Sequence, residues 1–461
     1  MNTLRPRLWS TLVVLLGVTG IGSAGEPDAA AVLDRVRAAV GYEHIAGQGG
    51  GMMATGSATV AGIECTTTIM FSGDRACVQR IDGPISTSSA MDGDTIWISD
   101  IGGETRRAYN ADRATTELGL LILCYGYLGS DRPLKFEVDE AACTPGSIAL
   151  SFHGSTGPAK GTLLIDRETA LPQSWSYDVG AGRTNVTLGD YHELKGVKIP
   201  GRVTTMSHGG SSVHLRLDTV SEAPTFVRSP YQFVDGAPND AAFDAQVSPE
   251  LEVVKATTGH LLVHPLINGK DLGWFIFDTG AGNSVLTTAV IKELGLEEFG
   301  DVPAKGVGGT SQASFCRPAT LTLGPITMNE PLMVGLDLSF LDVHMGRRVA
   351  GLIGYNLLAR AVTRIDMVAP AISIYDPATY DGSALPWQNL VIDQRIPHIE
   401  ASFEGHTGLF RLDTGAAQMS VSMHEPAVRR LNLLEGRETK DSKSGGVGGM
   451  VSVLRLSLIH I

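Results

Sequence analysis

The sequence predicts a mainly β protein: an N-terminal α+β antiparallel-sheet region, then two tandem β lobes, the second short of its closing elements. Three observations carry this. Short alternating apolar and polar segments, punctuated by Asp, Gly and Pro, fill the chain up to about residue 220. Glycine is abundant, 55 of 461 residues, which favours turns and short strands over long helices. From about residue 258 the chain repeats a series of elements in the same order.

The chain opens with Arg5 and Arg7 ahead of an apolar run from Thr11 to Gly22, too short to span a bilayer, followed by Gly22-Ser23-Ala24. This reads as a signal peptide over 1–24, with export to a periplasm or the outside. No later segment is long and apolar enough to cross a membrane. A net charge of −13 argues against nucleic acid as a partner, because nothing supplies a basic phosphate-binding surface.

After the signal, Val32, Leu33, Val36 and Val40 recur at helical spacing, with Gly41 as the stop. Segments such as Thr95–Ile98, Ser147–Phe152 and Thr162–Ile165 alternate as strands, and the apolar stretch Leu118 to Leu128 predicts a buried helix. The five cysteines fit no zinc spacing, so no metal is expected; in an oxidising compartment Cys65–Cys77 and Cys124–Cys143 are the pairings to consider. Pro224, Pro230, Pro238 and Pro249, among Asn, Asp and Ala, predict a linker over 221–250. The parts are therefore 1–24, 25–220, 221–250, 251–380 and 381–461.

The first repeat unit starts with Leu261–Ile267 and an Asn268-Gly269 hairpin signal, then Trp274-Phe275-Ile276-Phe277-Asp278-Thr279-Gly280-Ala281. A helix from about Thr288 to Leu294 is stopped by Gly295. Gly306-Val307-Gly308-Gly309 follows, then Leu352-Ile353-Gly354 and a closing hairpin over 362–375. The second unit repeats the order. Pro397 to Gly405 sets up a hairpin into Leu409-Phe410-Arg411-Leu412-Asp413-Thr414-Gly415-Ala416. Ser422 and Glu425 form a capping-box pattern for a helix through Leu431. Gly446-Val447-Gly448-Gly449 then matches the first cluster letter for letter. Only 13 residues follow Gly448, with no apolar-apolar-Gly element and no closing hairpin, so the second lobe reads as incomplete. Arg216-Leu217-Asp218-Thr219-Val220 mimics the motif but has Val where Gly is needed; Asp218 reads as an ordinary strand residue.

Two Asp-Thr-Gly motifs in similar surroundings can bring two carboxylates together across a pseudo-two-fold axis. Like charges that close share one proton, and such a pair activates water. The repeat resembles the retropepsin-like aspartic protease family, in a bacterial exported form with two units in one chain, over about 258–461. The resemblance implies Asp278 and Asp413 as the catalytic pair, with Thr279, Gly280, Thr414 and Gly415 supporting the loops. It implies Gly306–Gly309 and Gly446–Gly449 as flap tips over an extended peptide, and Leu352, Ile353 and Gly354 packed behind the site. It implies a peptide or protein substrate and no cofactor, and leaves room for a homodimer through the first lobe. The region 30–220 resembles the periplasmic lipoprotein-carrier superfamily, a half-barrel sheet over helices, through the helix ending in Gly41, Leu171–Trp175 and Lys198–Val203. That likeness leaves room for a hydrophobic ligand. The competing reading is a non-catalytic envelope protein that holds peptide or lipid on a degenerate or truncated protease frame.

Overall fold

The computed structural model describes residues 28–47, 51–73, 75–129, 134–155, 157–180, 182–236, 238–416 and 421–456. The expected signal peptide lies outside the described residues. The protein is mainly β. Thirteen strands form one antiparallel sheet. The first six, from Met52–Val60 to Thr105–Arg107, pair in succession, as do the last seven, from Leu134–Val138 to Ser212–Glu222; the two series join where Met52–Val60 pairs with Ser212–Glu222. That seam carries a bulge at Thr55/Gly56, where a Cβ on Gly56 would lie 1.8 Å from the Arg216 carbonyl oxygen. Only glycine lets the two backbones approach so closely.

One face of this half-barrel-like sheet is filled rather than hollow. The helix Ala29–Val40 buries Val32, Leu33, Val36 and Val40 there, is capped by the Asp28 side chain, and ends at Gly41 in the left-handed conformation, φ 71°. The expected apolar helix spans Asn110–Leu123, and the stretch after it, Gly126–Leu128, is a 3₁₀ turn. The helix start is polar at Asp112, which meets a polar partner described below. Trp175 packs edge-on against Tyr127, Phe136 and Phe152. The same core runs on into Ile276, Val285, Val334 and Leu352 of the first repeat unit. The protein's own side chains fill this face of the sheet.

No disulfide joins the five cysteines. Cys65 and Cys77 lie on adjacent strands, but the register sets Cys77 opposite Phe71. Cys77 instead interacts with Cys124 at the end of the Asn110–Leu123 helix. Cys143 approaches Ala149.

In the first unit, Trp274–Phe277 lies between Leu261–Val263, antiparallel, and Val349–Ile353, parallel. Phe275 and Phe277 point into the unit's own core, while Ile276 points into the core shared with the N-terminal sheet. A strand buried on both faces needs an unbroken apolar run, which explains Trp-Phe-Ile-Phe. Asn268 and Gly269 both take positive φ at the predicted hairpin, and the Thr288–Leu294 helix ends at Gly295. The stretch expected to be a free linker is docked. Tyr231 is buried with Trp97, and Ala241–Phe243 adds a strand to the first unit's five-stranded sheet.

The second unit comprises a three-stranded sheet, Leu390–Asp393, Ile396–Phe403 and His406–Arg411, the helix Glu425–Arg430, and the hairpin Thr439–Gly446/Gly449–Leu456. The capping box does not form. The helix starts at Glu425 after His424, with no side-chain cap. A start at Ser422 would place Pro426 a full turn in, where an N–H is required; the observed start keeps it in the first turn. Among the described residues of 381–456, the buried apolar side chains are Pro397 and Leu433. Asp218 is a strand residue held by Arg216. No helix among the described residues is long and apolar enough to cross a membrane.

Candidate active site

Each Asp-Thr-Gly stands at the end of a strand. Phe277 pairs with Ile353, and the Asp278 N–H donates to the Ile353 carbonyl at 2.9 Å. Gly354 follows with its Cα tucked under the loop: a Cβ there would lie 2.3 Å from the Asn283 carbonyl oxygen and 2.7 Å from that of Ala281. Its N–H donates to Ser284 Oγ at 3.0 Å, and Ser284 in turn donates to Asn356 Oδ1 at 2.6 Å. Ser284 and Asn356 are both buried. Leu352, Ile353 and Gly354 thus sit directly behind the Asp278 loop.

The two loops meet. Thr279 Oγ1 donates to the Leu412 carbonyl at 2.6 Å and accepts from the Thr414 N–H at 3.0 Å. Thr414 Oγ1 donates to the Phe277 carbonyl at 2.7 Å and accepts from the Thr279 N–H at 3.1 Å. The four bonds are related by a pseudo-two-fold axis. A Cβ on Gly280 would lie 2.5 Å from Asp413 Oδ1, and one on Gly415 would lie 2.4 Å from Asp278 Oδ1. Each carboxylate therefore rests against the other loop's glycine, and the two carboxyl groups are close enough for each to act on the other's proton. Within its own loop, Asp278 Oδ1 accepts the Gly280 N–H at 2.8 Å.

The pair is electrostatically uneven. Asp278 is half-buried and Asp413 more exposed. Burial raises the Asp278 carboxyl, the Asp413 charge raises it further, and the N–H groups of Gly280 and Ala281 oppose both; the result is about 7. Asp278 therefore holds a proton more tightly than an isolated carboxyl does.

The glycine clusters are the turns of two hairpins, with Gly306 opposite Gly309 and Gly446 opposite Gly449. Their tips touch. The Gly308 N–H donates to the Val447 carbonyl at 2.9 Å, and a Cβ on Gly308 would lie 2.2 Å from Gly449 N. Val307 is exposed.

Two residues that sequence reasoning missed complete the contact. His260 Nε2 donates to the Gly415 carbonyl at 2.9 Å, and its Nδ1 lies 2.8 Å from the Thr258 hydroxyl. Burial holds this imidazole below its ordinary value, so it is neutral near pH 7. Arg395 donates to Asn283 Oδ1 at 2.8 Å. His260 precedes Asp278 by 18 residues, and Arg395 precedes Asp413 by 18. The same position in each unit thus reaches the other unit's loop. That equal offset was the available signal. Beside Arg395 lies a cavity of about 300 Å³, walled by Ile81, Ile98, Ile101, Gln79 and Asp100 of the N-terminal sheet region.

The fold and site define a class: a β protein in which two homologous loops oppose two carboxyl groups. Residues 263–357 match the family model described as aspartyl protease, so the first unit carries an aspartyl-protease-like domain. A comparison with curated proteins returns no match. Among solved structures the chain is similar to a LolA superfamily protein from Nitrosomonas europaea, at 12% identity, covering 43% of this chain and 95% of that one, with a TM-score of 0.33. It is similar to a DUF1329 family protein from Desulfovibrio piger, at 11% identity, covering 44% and 96%, with a TM-score of 0.32. It is also similar to a chain of the MucA/MucB complex of Pseudomonas aeruginosa, at 11% identity, covering 70% and 98%, with a TM-score of 0.19.

Proposed function

We propose that this protein is an exported aspartic endopeptidase that hydrolyses peptide bonds with Asp278 and Asp413 of one chain. The observation that carries the reading is the opposed carboxyl pair, with Asp278 raised to about 7. In this reading Asp278, raised by burial and by the Asp413 charge, carries the shared proton and Asp413 serves as the base. Asp413 takes a proton from a water molecule as that water attacks the scissile carbonyl. The Asp278 hydroxyl donates a hydrogen bond to the carbonyl oxygen. Collapse of the tetrahedral intermediate breaks the C–N bond, and the leaving nitrogen receives a proton from the pair. The glycine-tipped hairpins, residues 306–309 and 446–449, close over an extended peptide and offer it backbone hydrogen bonds. The functional parts are a signal over 1–24, a sheet scaffold over 25–220, a connecting segment over 221–250, and the lobes 251–380 and 381–461. Because both aspartates come from one chain, a homodimer through the first lobe is not required.

The test is peptide cleavage by Asp278→Asn and Asp413→Asn. Each is expected to lose nearly all activity. Full activity in either variant sinks the intramolecular pair, and activity lost only in Asp278→Asn points to a pair formed between two chains. One observation favours the competing reading of a peptide-holding envelope protein: the sparse burial of the second unit, where Pro397 and Leu433 are the buried apolar side chains among the described residues. Binding of an unfolded protein without cleavage by the unaltered chain decides for it. Sequencing the N-terminus of the mature protein tests export.

A further inference from the structure

The turn that carries Arg395 is in an unfavourable conformation. It joins Leu390–Asp393 to Ile396–Phe403, and both of its central residues lie in the left-handed region, Gln394 at φ 53° and Arg395 at φ 59°. Two adjacent residues in that region suit Asn-Gly in a tight hairpin, not Gln-Arg. Such a conformation persists only where the surroundings over-determine it. Here the surroundings are not the second unit itself but the N-terminal sheet region, nearly 300 residues earlier.

Asp112 stands in the first turn of the Asn110–Leu123 helix. Its Oδ2 accepts the Gln394 N–H at 2.9 Å, and its own N–H donates to Asp393 Oδ1 at 3.1 Å. Arg106 donates to Asp112 Oδ2 at 2.8 Å and to the Ile392 carbonyl at 3.2 Å. The Arg106 and Asp112 side chains are only 10% and 18% exposed, so water competes poorly for these bonds. Three hydrogen bonds thus fix the turn from outside, and the Arg106–Asp112 bond ties the two clamping side chains together. The next link is Arg395 to Asn283, five residues beyond Asp278.

We propose that Asp112 and Arg106 are positioning residues for the aspartate pair: they clamp the 393–396 turn so that Arg395 registers the second unit against the Asp278 loop. This rests on the reading of Asp278 and Asp413 as a proteolytic pair. The N-terminal sheet region is then part of the active-site scaffold rather than a separate binding module.

The experiment uses the full chain with Asp112→Ala, Gln394→Gly and the double variant, read by peptide cleavage and by amide hydrogen exchange of residues 279–283 and 412–416. Displacement of one carboxyl by about an ångström lowers kcat about 100-fold. Asp112→Ala is expected to show that loss with KM within about twofold of the original, and faster exchange in both loops. Glycine takes the left-handed conformation unaided, so Gln394→Gly in the Asp112→Ala background is expected to recover at least about tenfold of the lost kcat and to slow loop exchange. An unchanged kcat and exchange in Asp112→Ala overturns the clamp. So does a double variant no faster than the single one while exchange of residues 184–203, far from the turn, stays slow and reports a folded sheet. If Asp112→Ala does not fold, Asp112→Asn keeps an acceptor for the Gln394 N–H but loses the ion pair; a smaller loss with the same rescue supports the clamp, and no rescue overturns it. If the unaltered protein cleaves nothing, the proteolytic reading fails, and the exchange measurements still decide for or against the clamp.

Discussion

Replacing either threonine of the inter-loop ring with valine removes two hydrogen bonds at nearly constant volume, and the two replacements are expected to differ. Thr279→Val strands the Leu412 carbonyl and the Thr414 N–H. Thr414→Val strands the Phe277 carbonyl and the Thr279 N–H. Leu412 is 41% exposed, so water can reach its carbonyl, whereas Phe277 is 0% exposed and its carbonyl has no such recourse. A lost neutral hydrogen bond costs about 1 kcal/mol net, and a stranded buried group costs about 1–3 kcal/mol. Thr279→Val is therefore expected to cost about 2 kcal/mol and Thr414→Val about 3–4 kcal/mol in docking of the second unit. At 1.4 kcal/mol per factor of ten, these are about 30-fold and at least about 100-fold.

Native-state hydrogen exchange of the amides in Ile396–Phe403 and His406–Arg411 reads these values, because both strands belong to the unit that detaches. The four bonds share one geometry, so the first replacement loosens the remaining two. The double variant is expected to cost about 1 kcal/mol less than the sum of the singles. Equal effects, a larger effect of Thr279→Val, or strict additivity would refute the reasoning.

Gly415→Ala is expected to abolish cleavage while leaving the thermal transition within a few degrees, because the nearest atoms its Cβ would meet are those of the Asp278 carboxyl, at 2.4 to 2.6 Å. In the proposed mechanism cleavage uses the proton on Asp278, so kcat/KM is expected to fall as pH rises through about 7, as a pH–rate profile will read. Glu104 is raised to about 7 by burial first and then by Asp100 and Asp235, against Arg106 and Arg360, and its partner is the Tyr355 hydroxyl. The folded state holds that proton more tightly than the unfolded chain, so the contribution is present below about pH 4.5 and is lost as pH rises to about 7; denaturant melts of Glu104→Gln are expected to lose this slope. Arg360 binds Asp240 through two bonds of 2.5 Å and also the carbonyls of Asn356 and Gly102, with its side chain 4% exposed. Arg360→Ala is expected to destabilise by about 3 kcal/mol in denaturant melts, and Arg360→Lys to recover little, since lysine lacks the planar fork.

What the sequence made legible was whatever local rules encode. The Gly41 and Gly295 helix stops and the Asn268-Gly269 turn each follow from a few neighbouring residues, and the structure holds them where the residues require; the two glycine-tipped hairpins came instead from the family resemblance. The Asp-Thr-Gly pair was legible for a different reason: a repeat turns a weak local motif into a strong one. The contacts that support the pair were hidden because they are long-range and polar. Ser284 and Asn356 are 72 residues apart, and Asp112 and Gln394 are 282 apart. The start of the Asn110–Leu123 helix is polar at Asp112, which meets Arg106, Asp393 and Gln394. The proline-rich stretch looked like a linker, and proline does exclude helix there, but it does not prevent Ala241–Phe243 from pairing at a sheet edge.

The repeat also shows what duplication within one chain allows. In a symmetric pair of identical units, the two aspartates have identical surroundings, and only the shared proton distinguishes them. Here the symmetry is kept where the loops touch and broken one layer out. The threonine ring and the crossed glycines obey the pseudo-two-fold axis. Yet the position 18 residues before each aspartate is a neutral histidine in one unit and a charged arginine in the other. Asp278 is backed by Ile353, Gly354 and Ser284 and by the shared core, while Asp413 is more open. Desolvation then falls on one carboxyl more than the other, and it raises Asp278 before the charge of its partner is counted. The consequence is directional: an exchange that gives each unit the other's reaching residue, His260→Arg with Arg395→His, is expected to preserve the loop contacts less well than it preserves the fold, because Arg395 is held by a turn clamped from the N-terminal region and His260 is not.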